Sequence, residues 1–162
     1  DWTIVRASWF NQNFTEGEFA GMVQASEIAL PAGDALEPFV DANDIAEVAI
    51  AALTQAGHAG EVYDVTGPRL MSFAAAAAEI SAATGRAVRF VDIPHEAFID
   101  ALVQSGAPEG MVWLLDYLFA TVLDGRNARL GDGVERALGR KPVDFLDFAH
   151  DAAGSGAWSL AA

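Results

Sequence analysis

In the first half of the chain, short β-branched or aromatic runs alternate with apolar stripes at helical spacing; in the second half the helical stripes dominate. Residues 2–7, Trp-Thr-Ile-Val-Arg-Ala, predict a strand buried on both faces, as in a parallel sheet. The polar-aromatic stretch 8–17 reads as a loop, and residues 14–25 as a short helix around it. Residues 28–30 read as a short strand ended by Pro31, Gly33 and Asp34, and 38–40 as a further extended piece. Over 41–56, Ile45, Val48, Ala49, Ala52 and Leu53 recur at i, i+3, i+4, i+7 and i+8, one helical stripe. Asp41 and Asn43 are its candidate N-caps and Gly57 its stop. Residues 61–66 predict a strand closed by Gly67-Pro68.

Ser72 then caps a helix running to Gly85, in which the alanines at 74–78 predict a face lying close against a sheet. Residues 88–93 predict a further strand. Pro94 and Pro108 each open a helix, the first to Gly106 and the second to about Leu123. Residues 126–133 read as loop, 134–138 and 143–153 as helices, and the tail from Gly154 as frayed except where Trp158 packs. Strands alternating with helices and followed by helices predict an α/β fold with a helical cap. No internal repeat is present.

Composition narrows the chemistry. A chain of 162 residues buries roughly 70% of its unfolded surface and needs no staples. It contains no cysteine, which excludes disulfides, thiolate-ligated metals and cysteine nucleophiles. Acids outnumber bases 23 to 9, and a net charge of −14 repels phosphate backbones, so nucleic acid is not an expected ligand. No apolar run reaches the ~20 residues of a membrane span, so no membrane partner is expected. No signal peptide opens the chain, and a start at Asp1-Trp2 without Met reads as an internal cut. Gly-x-Gly-x-x-Gly, P-loop and Gly-x-Ser-x-Gly patterns are all absent. His58, His95 and His150 lie too far apart for metal-ligand spacing, and Lys141 is the only lysine.

Two segments carry candidate chemistry. The loop Ser8, Trp9, Phe10, Asn11, Gln12, Asn13 follows the first strand, and open α/β sheets bind ligands beyond the carboxyl ends of their strands. Its rings and amides suit either a planar ligand or an aromatic core with turn chemistry. Residues 108–123 form a helix apolar nearly all round: Met111, Leu114, Leu115, Leu118 and Val122 make one stripe, and Trp113, Tyr117 and Ala120 another. One side must meet the core. The other faces a pocket, a partner or another part of the chain, or is simply deeply buried.

These residues resemble a known pattern. Residues 2–14 are similar to the segment WT-x-hydrophobic-RP-x-x-F-x-x-N of the NmrA-like NAD(P)-binding family, which are atypical short-chain dehydrogenase/reductases. Residues 38–46 resemble the family's PF-V-D-x-x-DIA element, and 62–73 its Y-x-L-TGP-x-x-x-S/T-F element. Thr84-Gly85-Arg86, Gly139-Arg140-Lys141-Pro142 and Phe145-Leu146-Asp147-Phe148 continue the match. The resemblance is closest to the bacterial ergot-alkaloid-biosynthesis-like branch. Ala7 stands where the family often has Pro, and Lys141 does not match a catalytic lysine.

The resemblance implies an α/β fold: a partial Rossmann-like parallel sheet with a mostly helical substrate-binding lobe. It makes residues 1–162 one domain, the C-terminal half of a family member, lacking the N-terminal half with the cofactor loop. The implied function is the substrate-binding half of an NAD(P)H-dependent oxidoreductase acting on a small organic molecule. The alternatives are a non-catalytic dinucleotide sensor or an inactive stable fragment. Ser8, Trp9 and Phe10 would border the nicotinamide of NAD or NADP, Asn11 and Asn13 would orient substrate or loop, and Met111, Leu114 and Tyr117 would wall an apolar pocket. No residue of the chain is assigned to catalysis, proton transfer or a metal. The isolated chain is not expected to hold the dinucleotide tightly, and a cytoplasmic location is implied. The expected macromolecular partner is the missing half or a second copy, covering an apolar edge at Ile4, Val5, Val62 and Val65.

Overall fold

A computed structural model of the chain describes residues 1–17 and 19–159. The strands are β1 (Ile4–Ala7), β2 (Glu27–Leu30), β3 (Leu36–Glu37), β4 (Val62–Val65), β5 (Met71–Ser72) and β6 (Arg89–Asp92). The α-helices are α1 (Ala20–Gln24), α2 (Ala42–Thr54), α3 (Phe73–Thr84), α4 (His95–Gln104), α5 (Glu109–Tyr117), α6 (Gly133–Leu138) and α7 (Phe145–Ser155). β1 pairs with β4 in parallel, Ile4 opposite Val62, and β2 pairs with β6 in parallel, Ile28 opposite Phe90. β3 and β5 form a short antiparallel ladder. Parallel pairs joined through helices, with helices concentrated in the second half, give the expected α/β fold with a mostly helical lobe.

Local chemistry sets the helix ends. The Asp41 carboxylate accepts from Asn43 N (2.8 Å) at the head of α2, and Ser72 Oγ accepts from Ala75 N (3.1 Å) at the head of α3. Asp144 caps α7 through Leu146 N. Gly85 and Gly139 take the left-handed conformation that ends α3 and α6.

The lobe packs around a cluster of aromatic rings. Phe14, Phe19, Phe39, Phe73 and Phe145 are fully buried. Phe73 sits at the centre, in contact with the rings of Trp9, Phe14, Phe19, Phe39 and Phe119. The Phe39–Phe73 and Phe14–Phe145 pairs meet edge to face, an arrangement worth about 0.5–1.5 kcal/mol per pair beyond area burial. The small buried faces of Ala76 and Ala77 let α3 lie against α7 as well as β6, so the alanine run meets a helix in addition to the expected strand. Trp158 reaches back into this core, its indole N–H donating to Phe14 O (2.6 Å), as the sequence led us to expect.

A second, smaller cluster holds Val40, Val48, Tyr63, Val65 and Val134 between α2, β4 and α6. Here the α2 stripe differs from expectation. Asp44, Val48 and Ala51 face inward, while Leu53 is 84% exposed. The polar Asp44 belongs inside because its two oxygens are both used: Oδ1 accepts from Arg140 (2.7 Å) and Oδ2 from Val143 N (2.8 Å).

The structure also departs from the expected local burial and helix bounds. β1 is not buried on both faces: Val5 joins the second cluster, but Ile4 is 47% exposed, because β1 has a partner strand on one edge and a packed helix on one face only. Of the residues named at the expected apolar edge, Val65 is fully buried, Val5 and Val62 are half-buried and Ile4 is exposed, and β4 is the one strand paired with β1 among the described residues. Residues 14–25 contain only the short α1, preceded by a 3-10 turn at Asn11–Phe14, since the buried rings of Phe14 and Phe19 fix the chain direction between them. The helix from Pro108 closes in a π-turn at Leu118–Val122, and its second face is open, with Trp113 and Tyr117 stacked 5.9 Å apart on the surface. No helix among the described residues is long and apolar enough to cross a membrane.

Candidate functional site

β1 and β4 run side by side in one direction, so their carboxyl ends open on the same side. A cavity of about 510 Å³ lies there. The chain leaving β1 supplies Ser8, Trp9, Phe10 and Asn13; the chain leaving β4 supplies Thr66. Leu118 and Val122 of the π-turn close one wall, and Arg129, Leu130 and Gly131 of the following loop another. Glu37 and Pro38 complete the lining beside Ser8.

Each wall is held by specific contacts. Trp9 is anchored from behind, stacked on Phe19 (5.9 Å, 21°) and edge-on to Phe73 (5.8 Å, 85°), so the aromatic core fixes its orientation. Phe10, by contrast, is largely exposed and tied by its backbone to Val40. Thr66 pins the loop across the mouth: its hydroxyl accepts from Gly131 N (3.0 Å) and donates to Gly67 O (3.1 Å). The loop runs so close to β4 that a Cβ at Gly131 would stand 2.2 Å from Asp64 O, a position only glycine can fill.

The polar lining falls into two groups. At the rim, Arg6 grips Asp64 through two hydrogen bonds (2.7 and 2.9 Å), and Arg129 approaches the same carboxylate at 3.8 Å. Deeper, Glu37 is only 1% exposed. Its Oε2 accepts from Ser8 Oγ (3.3 Å), while Oε1 is buried without a partner. Burial outweighs the Ser8 hydrogen bond and pushes the Glu37 carboxyl above its ordinary value.

Of the residues singled out from the sequence, Ser8, Trp9, Phe10 and Asn13 come together in this lining. Asn11 does not. It is fully buried behind the loop, its backbone N–H donating to Val40 O (2.8 Å) and both side-chain amide atoms unpartnered. Met111, Leu114 and Tyr117 also lie outside the lining: Met111 packs on the aromatic core, and Leu114 and Tyr117 face outward. The tightening of the chain at the π-turn brings Leu118 and Val122 to the wall instead. Glu37 was missed. An acid between Leu36 and Pro38 carries no periodic signal; its place on β3, paired across to Met71, is what carries it beside Ser8.

The cavity fits part of a nicotinamide dinucleotide. A planar ring can lie against the fixed Trp9, at the strand ends where α/β sheets bind ligands. The glycine-rich loop that would cradle a diphosphate is absent from the sequence.

No protein-family model matches the chain. Among curated proteins it is 38% identical over 148 residues to an NAD(P)H azoreductase of Xenophilus azovorans, covering 91% of this chain and 51% of that protein. It is 30% identical over 152 residues to a festuclavine dehydrogenase of Aspergillus fumigatus, covering 91% and 52%. Among solved structures it superposes on an NADPH-dependent quinone oxidoreductase of Escherichia coli complexed with NADPH, with a TM-score of 0.78 at 20% identity, covering 90% of this chain and 51% of that one. NmrA, a negative transcriptional regulator in complex with NAD, shares the fold with a TM-score of 0.59 at 17% identity, covering 98% and 56%. The chain spans about half the length of the curated relatives it matches. It is thus a relative, over about half of their length, of the NAD(P)H azoreductase and the festuclavine dehydrogenase, and it shares the fold of NmrA.

Proposed function

We propose that the chain is the substrate-binding half of an NAD(P)H-dependent oxidoreductase acting on a small organic molecule with a planar, electron-accepting group. The observation that carries this reading is the cavity at the carboxyl ends of β1 and β4, walled by an aromatic ring fixed from behind and by apolar side chains of the helical lobe. The bound cofactor supplies hydride there. Ser8, Trp9 and Phe10 border its nicotinamide, Asn13 orients the substrate, and Leu118 and Val122 exclude water. The segment that grips the diphosphate belongs to the other half of the protein, so the partner of this chain is that half.

The test is reduction by the full-length protein. NADPH or NADH is mixed with a quinone and, separately, with an azo compound, and nicotinamide oxidation is followed by absorbance. We expect oxidation that depends on the acceptor, and a raised KM for the acceptor in Trp9→Ala. Dinucleotide binding without oxidation by either acceptor would instead mark a sensor. The isolated 162 residues should bind NADPH more weakly than low micromolar in titration calorimetry, because backbone N–H groups of a glycine-rich loop supply much of the diphosphate affinity.

A further inference from the structure

Reduction of a double bond by hydride leaves a second atom that needs a proton, and the cavity holds few groups able to give one. The guanidinium groups of Arg6 and Arg129 are directed to Asp64. The Thr66 hydroxyl is committed to the backbone of Gly67 and Gly131. Ser8 differs, because it lines the cavity and its hydroxyl is hydrogen-bonded to a buried carboxyl, that of Glu37 (3.3 Å). We propose that Ser8 delivers the proton to the substrate and that Glu37, one hydrogen bond behind it, is the acid that replaces that proton. This rests on the reductase reading above.

The arrangement explains why an acid is buried at this place. Glu37 reaches the lining but is only 1% exposed, whereas Ser8 beside it is half-buried. The burial that shields the carboxyl also favours its protonated form, and one of its oxygens has no donor to stabilise a charge. The charged groups sharing the cavity are Arg6, Asp64 and Arg129, which are occupied with one another. Across the ladder, β5 brings Met71 and Ser72, and Arg69 just before it is held by Asp144 and Glu79. In the step itself, hydride carries two electrons to one atom of the acceptor double bond. The neighbouring atom takes the hydrogen of Ser8 Oγ as a proton. With Glu37 protonated the Ser8–Glu37 hydrogen bond runs the other way, so Ser8 Oγ takes the proton of Glu37 Oε2 as it gives up its own, leaving a carboxylate that solvent reprotonates after product departs.

Two measurements on the full-length protein test this. The first is independent of turnover: an infrared difference titration, with the Glu37 band assigned by Glu37→Gln. We expect the carboxyl to lose its proton above the ordinary value of 4.5. Titration at or below that value overturns the proposal. The second is the pH profile of kcat/KM, which should fall as pH rises through the Glu37 titration. Glu37→Gln should lower kcat/KM on the order of 10²-fold and flatten that fall, since general acids contribute 10²–10⁴-fold. Ser8→Ala should lose a similar factor while the Glu37 band still titrates, and Ser8→Thr should restore it. An active wild type whose profile Glu37→Gln leaves unchanged overturns this inference alone. A wild type that oxidises no NAD(P)H overturns it together with the reductase reading.

Discussion

The two packed regions of this protein are built differently. Around Phe73, rings from five other residues close on one another, α3 packs on α7, and Trp158 reaches back into the cluster. Around Val65 the core is four valines and Tyr63 between α2, α6 and β4, and the strand beside it, β1, turns Ile4 to solvent. The aromatic region is complete in itself. The valine region is one face of a sheet whose other face is open. The cavity lies at their junction: Trp9 is a member of the first region, and Ser8 leaves the strand of the second. The rigid side thus fixes the ring, and the sheet side supplies the polar chemistry.

The contrast is broken most directly by deleting its centre. Phe73→Ala removes the ring that the other five share and should destabilise by about 3–5 kcal/mol in urea melts, the usual cost of a large-to-small change in a closed aromatic core. A cost below ~1.5 kcal/mol would show a core that collapses into the gap, and the two regions would be equally soft.

The next largest effect belongs to the valine region and is polar. Asp44→Ala should cost about 2–3 kcal/mol, because it strips a charged acceptor from Val143 N and from Arg140 in a fully buried position. Arg140 keeps Glu47 and some exposure, which holds the loss below that of a stranded charge. A melt shifted by less than ~0.5 kcal/mol would mean that the apolar contacts alone hold α2 to the segment ahead of α7.

Asp144 supplies a smaller, pH-dependent effect at the edge of the aromatic region. Arg69 donates two hydrogen bonds to it and holds its carboxyl below the ordinary value. A depressed acid contributes stability above its unfolded titration near pH 3.9, and that stability is lost as pH falls through the folded value. Asp144→Asn keeps a helix-capping side chain but removes the charge. It should cost about 1 kcal/mol at pH 7 and less at pH 2. Equal costs at both values would place the effect in the cap and not in the ion pair.

Much of this was legible in the sequence. The helix heads at Asp41 and Ser72, the stops at Gly85 and Gly139, and the parallel strand pair all follow from local signals that the structure keeps. The loop after β1 was legible as a site because strand ends gather ligands and its rings stand together. What was not legible depended on which surface each face meets. Leu53 fits a helical stripe, but α2 meets its neighbours along Asp44, Val48 and Ala51. Tyr117 and Leu118 are adjacent and equally apolar in pattern, and only the π-turn decides that Leu118 reaches the cavity. Glu37 sits in a two-residue strand, too short for any periodicity, yet its pairing carries it to the side of Ser8.

The smallest predicted effect is the one that sharpens the contrast most. Ile4 lies on the open face of β1, opposite Val62, and Trp2 beside it is 57% exposed. Ile4→Thr keeps the branching at Cβ that suits a strand and replaces the ethyl arm, on an exposed residue, with a hydroxyl. In the chain alone it should change stability by less than ~0.5 kcal/mol, the range of ordinary surface substitutions. The same change in the full-length protein reads the other side of the strand. If the remaining half covers β1, the threonine hydroxyl is then buried, and the cost should rise to about 1–3 kcal/mol. Light scattering on the chain alone guards the comparison. A second copy pairing on β1 would already cover Ile4, so a dimer together with a cost above ~1 kcal/mol in the isolated chain would show that the open face is closed by self-association and not by the other half of the protein.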